Sequence, residues 1–215
     1  MAATVQIEQV TGPAGAKVYT VKDQATRTRY YTADESGSSL TTNPIPIPTV
    51  DSGVSGSYWA THCINVTVGP STYIKDLKWY VTMTSSSIGE DWDLGTGGDM
   101  FIGISSASIA LARSITQGFS ANKYDQAEGV EGSFGYFIST NHDYYISCSA
   151  PLSGGMTSTA DFNSLANAFM VQSGQVVGAA GTGRSYFMAT QILVASGAIQ
   201  GDKADKTATF VYSEV

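Results

Sequence analysis

Charge is scarce in this chain. Charged residues fill 13% of its 215 positions, about half the ~25% of an ordinary globular domain. The balance is acidic, 18 Asp and Glu against 11 Lys and Arg, for a formal net charge of −7. The basic residues are scattered and form no stripe. Phosphate backbones and anionic headgroups attract cationic surfaces, so neither nucleic acid nor a membrane is expected as a general partner. Long hydrophobic runs are lacking too, and none approaches the ~20 apolar residues of a membrane-spanning helix. The opening "MAATVQIEQV" has neither the basic nor the apolar region of a secretory leader. The expectation is synthesis in the cytoplasm, with any exit by lysis or inside a particle.

Cysteine and histidine are equally sparse, at two each. Cys63 and Cys148 are expected to be reduced and buried. Zinc would need converging ligands, and the spacing opposes it. His62 and Cys63 are neighbours in a strand pattern and point to opposite faces. His142 and Cys148 would lie roughly 20 Å apart if the strand around Tyr144–Ser149 runs back that far. Nucleophile signatures are missing. There is no G-x-S-x-G, and "SANK" (Ser120 to Lys123) lacks the partner motifs of S-x-x-K enzymes. His142–Asp143 has no nucleophile placed beside it. The reading is non-enzymatic, with no cofactor.

What the chain does have is a period of two. Tyr58, Ala60, His62, Ile64, Val66 and Val68 share one face of "SYWATHCINVTV". Leu77, Trp79, Val81 and Met83 share one face of "DLKWYVTM", and "DMFIGIS" aligns Met100, Ile102 and Ile104. "SYFMATQILVAS" and "KTATFVYSEV" alternate likewise, the last with Ala208, Phe210 and Tyr212 on the face expected to be buried. Weaker runs are Thr4–Val10, Ala16–Val21, Thr28–Thr32, Phe134–Ser139, Tyr144–Ser149 and Ala168–Val177. Such alternation predicts half-buried antiparallel strands, and turn residues recur between them. The predicted fold is an all-β antiparallel sandwich, jelly-roll-like, in one domain spanning 1–215. Helical spacing is confined to "ADFNSLANAFM", where Asp161 could cap Phe162, Leu165 and Phe169, so at most one short helix is expected. "GISSASIALARSITQG" reads as a strand and a turn.

Residues 1–48 read as an N-terminal hairpin followed by a proline-rich strap (43–48). Pro44, Pro46 and Pro48 remove three backbone donors and push their predecessors into extended conformations. This stretch cannot lie inside a sheet, and it leaves Ile45 and Ile47 free to pack. It is either a crossing connection onto the sandwich or an arm that docks on a neighbouring subunit. Pro44, Ile45, Pro46, Ile47 and Pro48 are the candidate interface.

Three motifs point elsewhere. Gly178 to Ser185 reads G-A-A-G-T-G-R-S, a Walker A loop but for Arg184. A phosphate loop must feed a helix whose N-terminal amides hold the anion. The run after Ser185 has strand patterning, so a turn is expected and no nucleotide. "EDWDLGTGGD" clusters Glu90, Asp91, Asp93 and Asp99; Asp91 and Asp93 with Gly95 faintly match the start of a calcium loop, but its closing bidentate Glu is absent, so a solvated acidic turn is expected. Trp59, Trp79, Tyr80 and Trp92 could make a sugar-stacking platform, although alternating aromatics ordinarily belong to a core.

"NPIPIP", "SGSYWATHCI", "IKDLKWY", "YDQAEGVEGSFGYF", "GTGRSYFMATQILV" and "TATFVYSEV" together resemble an uncharacterised β-sandwich family of viral and prokaryotic sequences. Ser213 departs from the Asp more familiar in its closing strand. The family is similar to structural proteins of tailed viruses: capsid decoration, minor capsid or tail components. The resemblance implies a virion protein whose partners are identical subunits or a major capsid or tail protein, and it supplies no catalytic residues. The alternative is a lectin-like, carbohydrate-binding sandwich.

Overall fold

The computed structural model describes residues 1–11, 18–23, 26–31, 44–45, 47, 54–57, 60–105, 117–120, 123–126, 134–138, 144–148, 157–159 and 162–215. The backbone alone is described for 54–56, 101, 103–105, 117–148, 157–158 and 189 within these spans. The chain folds as an all-β antiparallel sandwich. Its strands are β1 (Thr4–Thr11), β2 (Val18–Lys22), β3 (Val54–Gly56), β4 (Ala60–Val68), β5 (Ile74–Val81), β6 (Asp99–Ser105), β7 (Gln117–Ser120), β8 (Lys123–Gln126), β9 (Phe134–Ile138), β10 (Tyr144–Cys148), β11 (Thr157–Ser158), β12 (Phe169–Val177), β13 (Gly183–Arg184), β14 (Phe187–Ala195) and β15 (Ala208–Glu214).

The wide sheet has eight strands in the order β11-β6-β14-β4-β1-β2, with β13 paired to β4 and β3 paired to β14. Two of its strands are interrupted rather than ended. Ser185 N–H donates to Ile64 O at 3.0 Å and its hydroxyl accepts from Ile64 N at 3.1 Å, carrying β13 into β14. Ser57 does the same between β3 and β4, against Ile192. The narrow sheet has three strands, β12-β5-β15. The pairs β7–β8 and β9–β10 are separate two-stranded ribbons.

The period of two sets the core. Ile64, Met188, Ile192, Met100 and Ile102 from the wide sheet meet Leu77, Trp79, Val81, Phe169 and Val171 from the narrow one. Each is under a tenth exposed, and burying such a side chain stabilises by about 1.5–3 kcal/mol. Phe210 and Tyr212 of β15 pack on this cluster as expected, but remain half-buried because β15 is the last strand of its sheet.

Two expectations need correction. Thr28–Tyr31 is not a strand: it joins no ladder, and Thr28, Arg29 and Tyr30 make their contacts through side chains. Among the described residues the one α-helix is α1 (Ile88–Asp91), not a segment near 165. Ser87 caps it, accepting from Glu90 N at 3.1 Å, while Glu90 accepts from Ser86 N at 3.1 Å. Gly89 is needed there: a Cβ would lie 2.0 Å from Gly98 O. Near 165 there is only a 3-10 turn, Leu165–Asn167, because β12 begins at Phe169 and Phe162 O is bonded to Val81 N. β1 and β2 form an N-terminal hairpin, and β1 also pairs with β4, so the hairpin belongs to the wide sheet.

Candidate functional site

The wide sheet is broader than the narrow one, and residues 27–31 cover part of the difference. They cross the core face of the wide sheet strand by strand. Lys22 Nζ of β2 donates to Arg27 O at 3.3 Å. Thr28 Oγ1 lies 2.8 Å from His62 Nε2 of β4, and Tyr30 OH lies 2.8 Å from Thr190 Oγ1 of β14. Tyr30 also meets Trp92 edge-on, with ring centroids 6.5 Å apart. On the solvent side Arg27 pairs with Asp205, and Arg29 with Asp202 at 3.0 Å. Burial pushes the Tyr30 hydroxyl up to about 12, against the bond to Thr190.

His62 is 5% exposed beneath this crossing. Burial first, then Lys22, push its pKa down to about 4, while the Ala60 carbonyl works the other way. Its Nδ1 makes no well-formed hydrogen bond.

The opposite face of the wide sheet holds a second polar group. Glu8, 5% exposed, accepts from Arg184 Nε at 2.7 Å and from Asn65 Nδ2 at 2.8 Å. The Arg184 guanidinium stacks 3.7 Å above the Tyr19 ring. Cys63 is a free, buried thiol whose pKa rises to about 12, through burial and then Glu8, with Arg184 opposing. A thiol held protonated is a poor nucleophile and a poor metal ligand.

The Walker-like loop supplies Arg184 to that pair. Gly181 N–H closes a turn on Gly178 O, and Ala180 N–H donates to Pro70 O. Gly69 allows the contact, since a Cβ on it would lie 2.4 Å from Ala180 C. The loop then enters β13 and β14, a strand and not a helix.

The acidic stretch is not a solvated turn. The Asp91 side chain is 1% exposed and pairs with Lys206. It also accepts from Thr84 N at 2.8 Å, Thr84 Oγ1 at 2.7 Å and Ser85 N at 2.7 Å. Burial alone would raise its pKa; the Lys206, Thr84 and Ser85 bonds outweigh that and hold it well below the usual carboxylate range. Asp99 accepts from Gly89 N at 3.1 Å, and Asp93 is exposed. Asp91 and Asp99 therefore hold different parts of the loop. Among the described residues no group of three His, Cys, Asp or Glu is arranged to hold a metal.

Of the aromatic candidates, Trp79 is 2% exposed in the core. Trp92 is half-buried, with its indole N–H donating to Ala204 O at 2.7 Å. Trp59 lies outside the described residues, as do His142, Pro46, Pro48 and Asp161, and the Cys148 side chain is not described. In the strap, Pro44 is exposed, Ile45 packs on the core cluster and Ile47 is 37% exposed.

Sequence reasoning missed Glu8, Lys206 and the crossing at 27–31. Glu8 occupies the outward phase of β1, and nothing local signals that this face is covered. Among the described residues no helix is long and apolar enough to cross a membrane. The fold and these groups define a class, an antiparallel β-sandwich whose buried charges hold loops to sheets. Compared with protein families, curated proteins and solved structures, the chain matches none.

Proposed function

We propose that this chain is a non-enzymatic virion structural protein that works by contact between copies of itself, or with a major capsid or tail protein. One observation carries the reading. The strap anchors Ile45 on the core cluster and turns Ile47 outward two residues later. An apolar side chain on a proline-stiffened arm loses little freedom on docking, which favours its use as a contact. The virion assignment rests on the resemblance of the strap and the closing strand to the uncharacterised β-sandwich family that is similar to tailed-virus structural proteins. The narrow sheet supports work by contact, since its edge strand β15 contains neither Lys nor Pro, the usual guards of an exposed edge.

Sedimentation velocity on the full chain over a wide concentration range tests it. The expected result is reversible or stable association. A single monomer boundary at every concentration would overturn homotypic assembly. The carbohydrate-binding alternative draws less support, because Trp79 is buried and the indole N–H of Trp92 is taken by Ala204.

A further inference from the structure

We propose that residues 27–31 are an acid-released strap: protonation of His62 expels Thr28 and uncovers the core face of the wide sheet between β2 and β14. The argument begins with hydrogen-bond capacity. An imidazolium donates from both nitrogens and needs two acceptors. In the closed arrangement Nε2 faces the Thr28 hydroxyl at 2.8 Å, while Nδ1 has only the Ala60 carbonyl beside it, in a contact short of a well-formed hydrogen bond. A second cation in this place also meets Lys22, which is on the same face of the neighbouring hairpin. The remaining described neighbours offer no counter-charge: Asp23, next to Lys22, is exposed and accepts from Thr26. Gln9 of β1 and Met188 of β14 are the cross-strand partners of His62, and Tyr30 and Thr190 lie further along the crossing. Asp202 and Asp205 bind the strap's own arginines, Arg29 and Arg27, on the solvent side.

The crossing is the movable part. It has no ladder bonds, whereas His62 is fixed within β4 between β1 and β14. Swinging the strap away relieves the charge by admitting water to the ring. The direction of the linkage follows. Closed, His62 takes up its proton only near pH 4; open and hydrated, it does so near its ordinary 6.5. Between those values the open form binds more protons, so falling pH favours it. From pH 7 to pH 4 the closing equilibrium should weaken on the order of a hundredfold.

Hydroxyl-radical footprinting with mass spectrometry reads this directly. Tyr30 and Tyr31 report the strap, and Trp79, 2% exposed, reports the core. The expected result is that oxidation of Tyr30 and Tyr31 rises steeply between pH 6.5 and 4 while Trp79 stays protected. The rise should be blunted in His62→Gln. No rise, an equal rise in His62→Gln, or a rise shared by Trp79 would each overturn the proposal. Should His62→Gln not fold, the ring-proton NMR titration of His62 in the unaltered chain decides, with His142→Gln assigning the signals. Slow exchange of the His62 signal, coupled to shifts at Thr28, supports the strap. A freely titrating ring with Thr28 unchanged contradicts it.

Discussion

Glu8 and Arg184 come from opposite ends of the chain and meet on one face of the wide sheet. The carboxylate is almost wholly buried, while the guanidinium is about one-third exposed. Removing one partner of such a pair leaves the other without its bonds. Arg184→Ala should therefore destabilise by about 1–3 kcal/mol, discounted for the exposed side of the pair. Glu8→Gln, which still accepts a hydrogen bond, should cost less. Urea denaturation with unchanged m-values checks the order, and equal midpoints for wild type and Arg184→Ala would show that the pair is idle. Asp91 gives a pH prediction. Its folded pKa is depressed, so its contribution is complete above the ordinary 3.8 and is lost as pH falls through the lower folded value. Lys206→Met should shrink that acid-side loss in thermal melts recorded below pH 4. An unchanged pH profile would contradict the assigned pairing.

At the scale of elements, β15 shows how far a pattern can be read. Alternation correctly placed Phe210 and Tyr212 on the inner face. It could not show that β15 would be the last strand of a three-stranded sheet, which leaves both rings half-buried. Phe210→Ala should accordingly cost less than the roughly 3–5 kcal/mol of a fully buried Phe. A melting temperature equal to wild type would remove β15 from the core. The same limit explains Thr28–Tyr31. Thr28 and Tyr30 alternate with Arg29 just as a strand would, yet the alternation reflects a segment lying on a sheet, not within one. Strand periodicity reports which side is dry and not which partner dries it. The helix α1 was hidden for another reason: four residues are too few to show a period, and only the S-x-x-E spacing of Ser87 and Glu90 marked it. Ser87→Ala should cost about 1 kcal/mol. Thermal melts would show it, and an unshifted midpoint would mean that the cap contributes nothing.

For the whole molecule, fold class was legible because it follows from many short alternating runs acting together. The candidate site was legible only in part. The strap was marked by three prolines, but the charged pairs depend on contacts between residues far apart in sequence, such as Arg29 with Asp202 and Glu8 with Arg184. The place of β1 also governs how assembly can be tested. Truncating the chain before Thr49 would remove β1, whose Val10 is fully buried, and so would unfold the sheet rather than disarm the strap. A point change at the outward side chain avoids this. The decisive measurement is sedimentation velocity on wild type and Ile47→Asp, with matched thermal melts. The account predicts that wild type associates and that Ile47→Asp sediments as a monomer with an unchanged melting temperature. Identical association in both proteins, or a monomeric wild type, would contradict it.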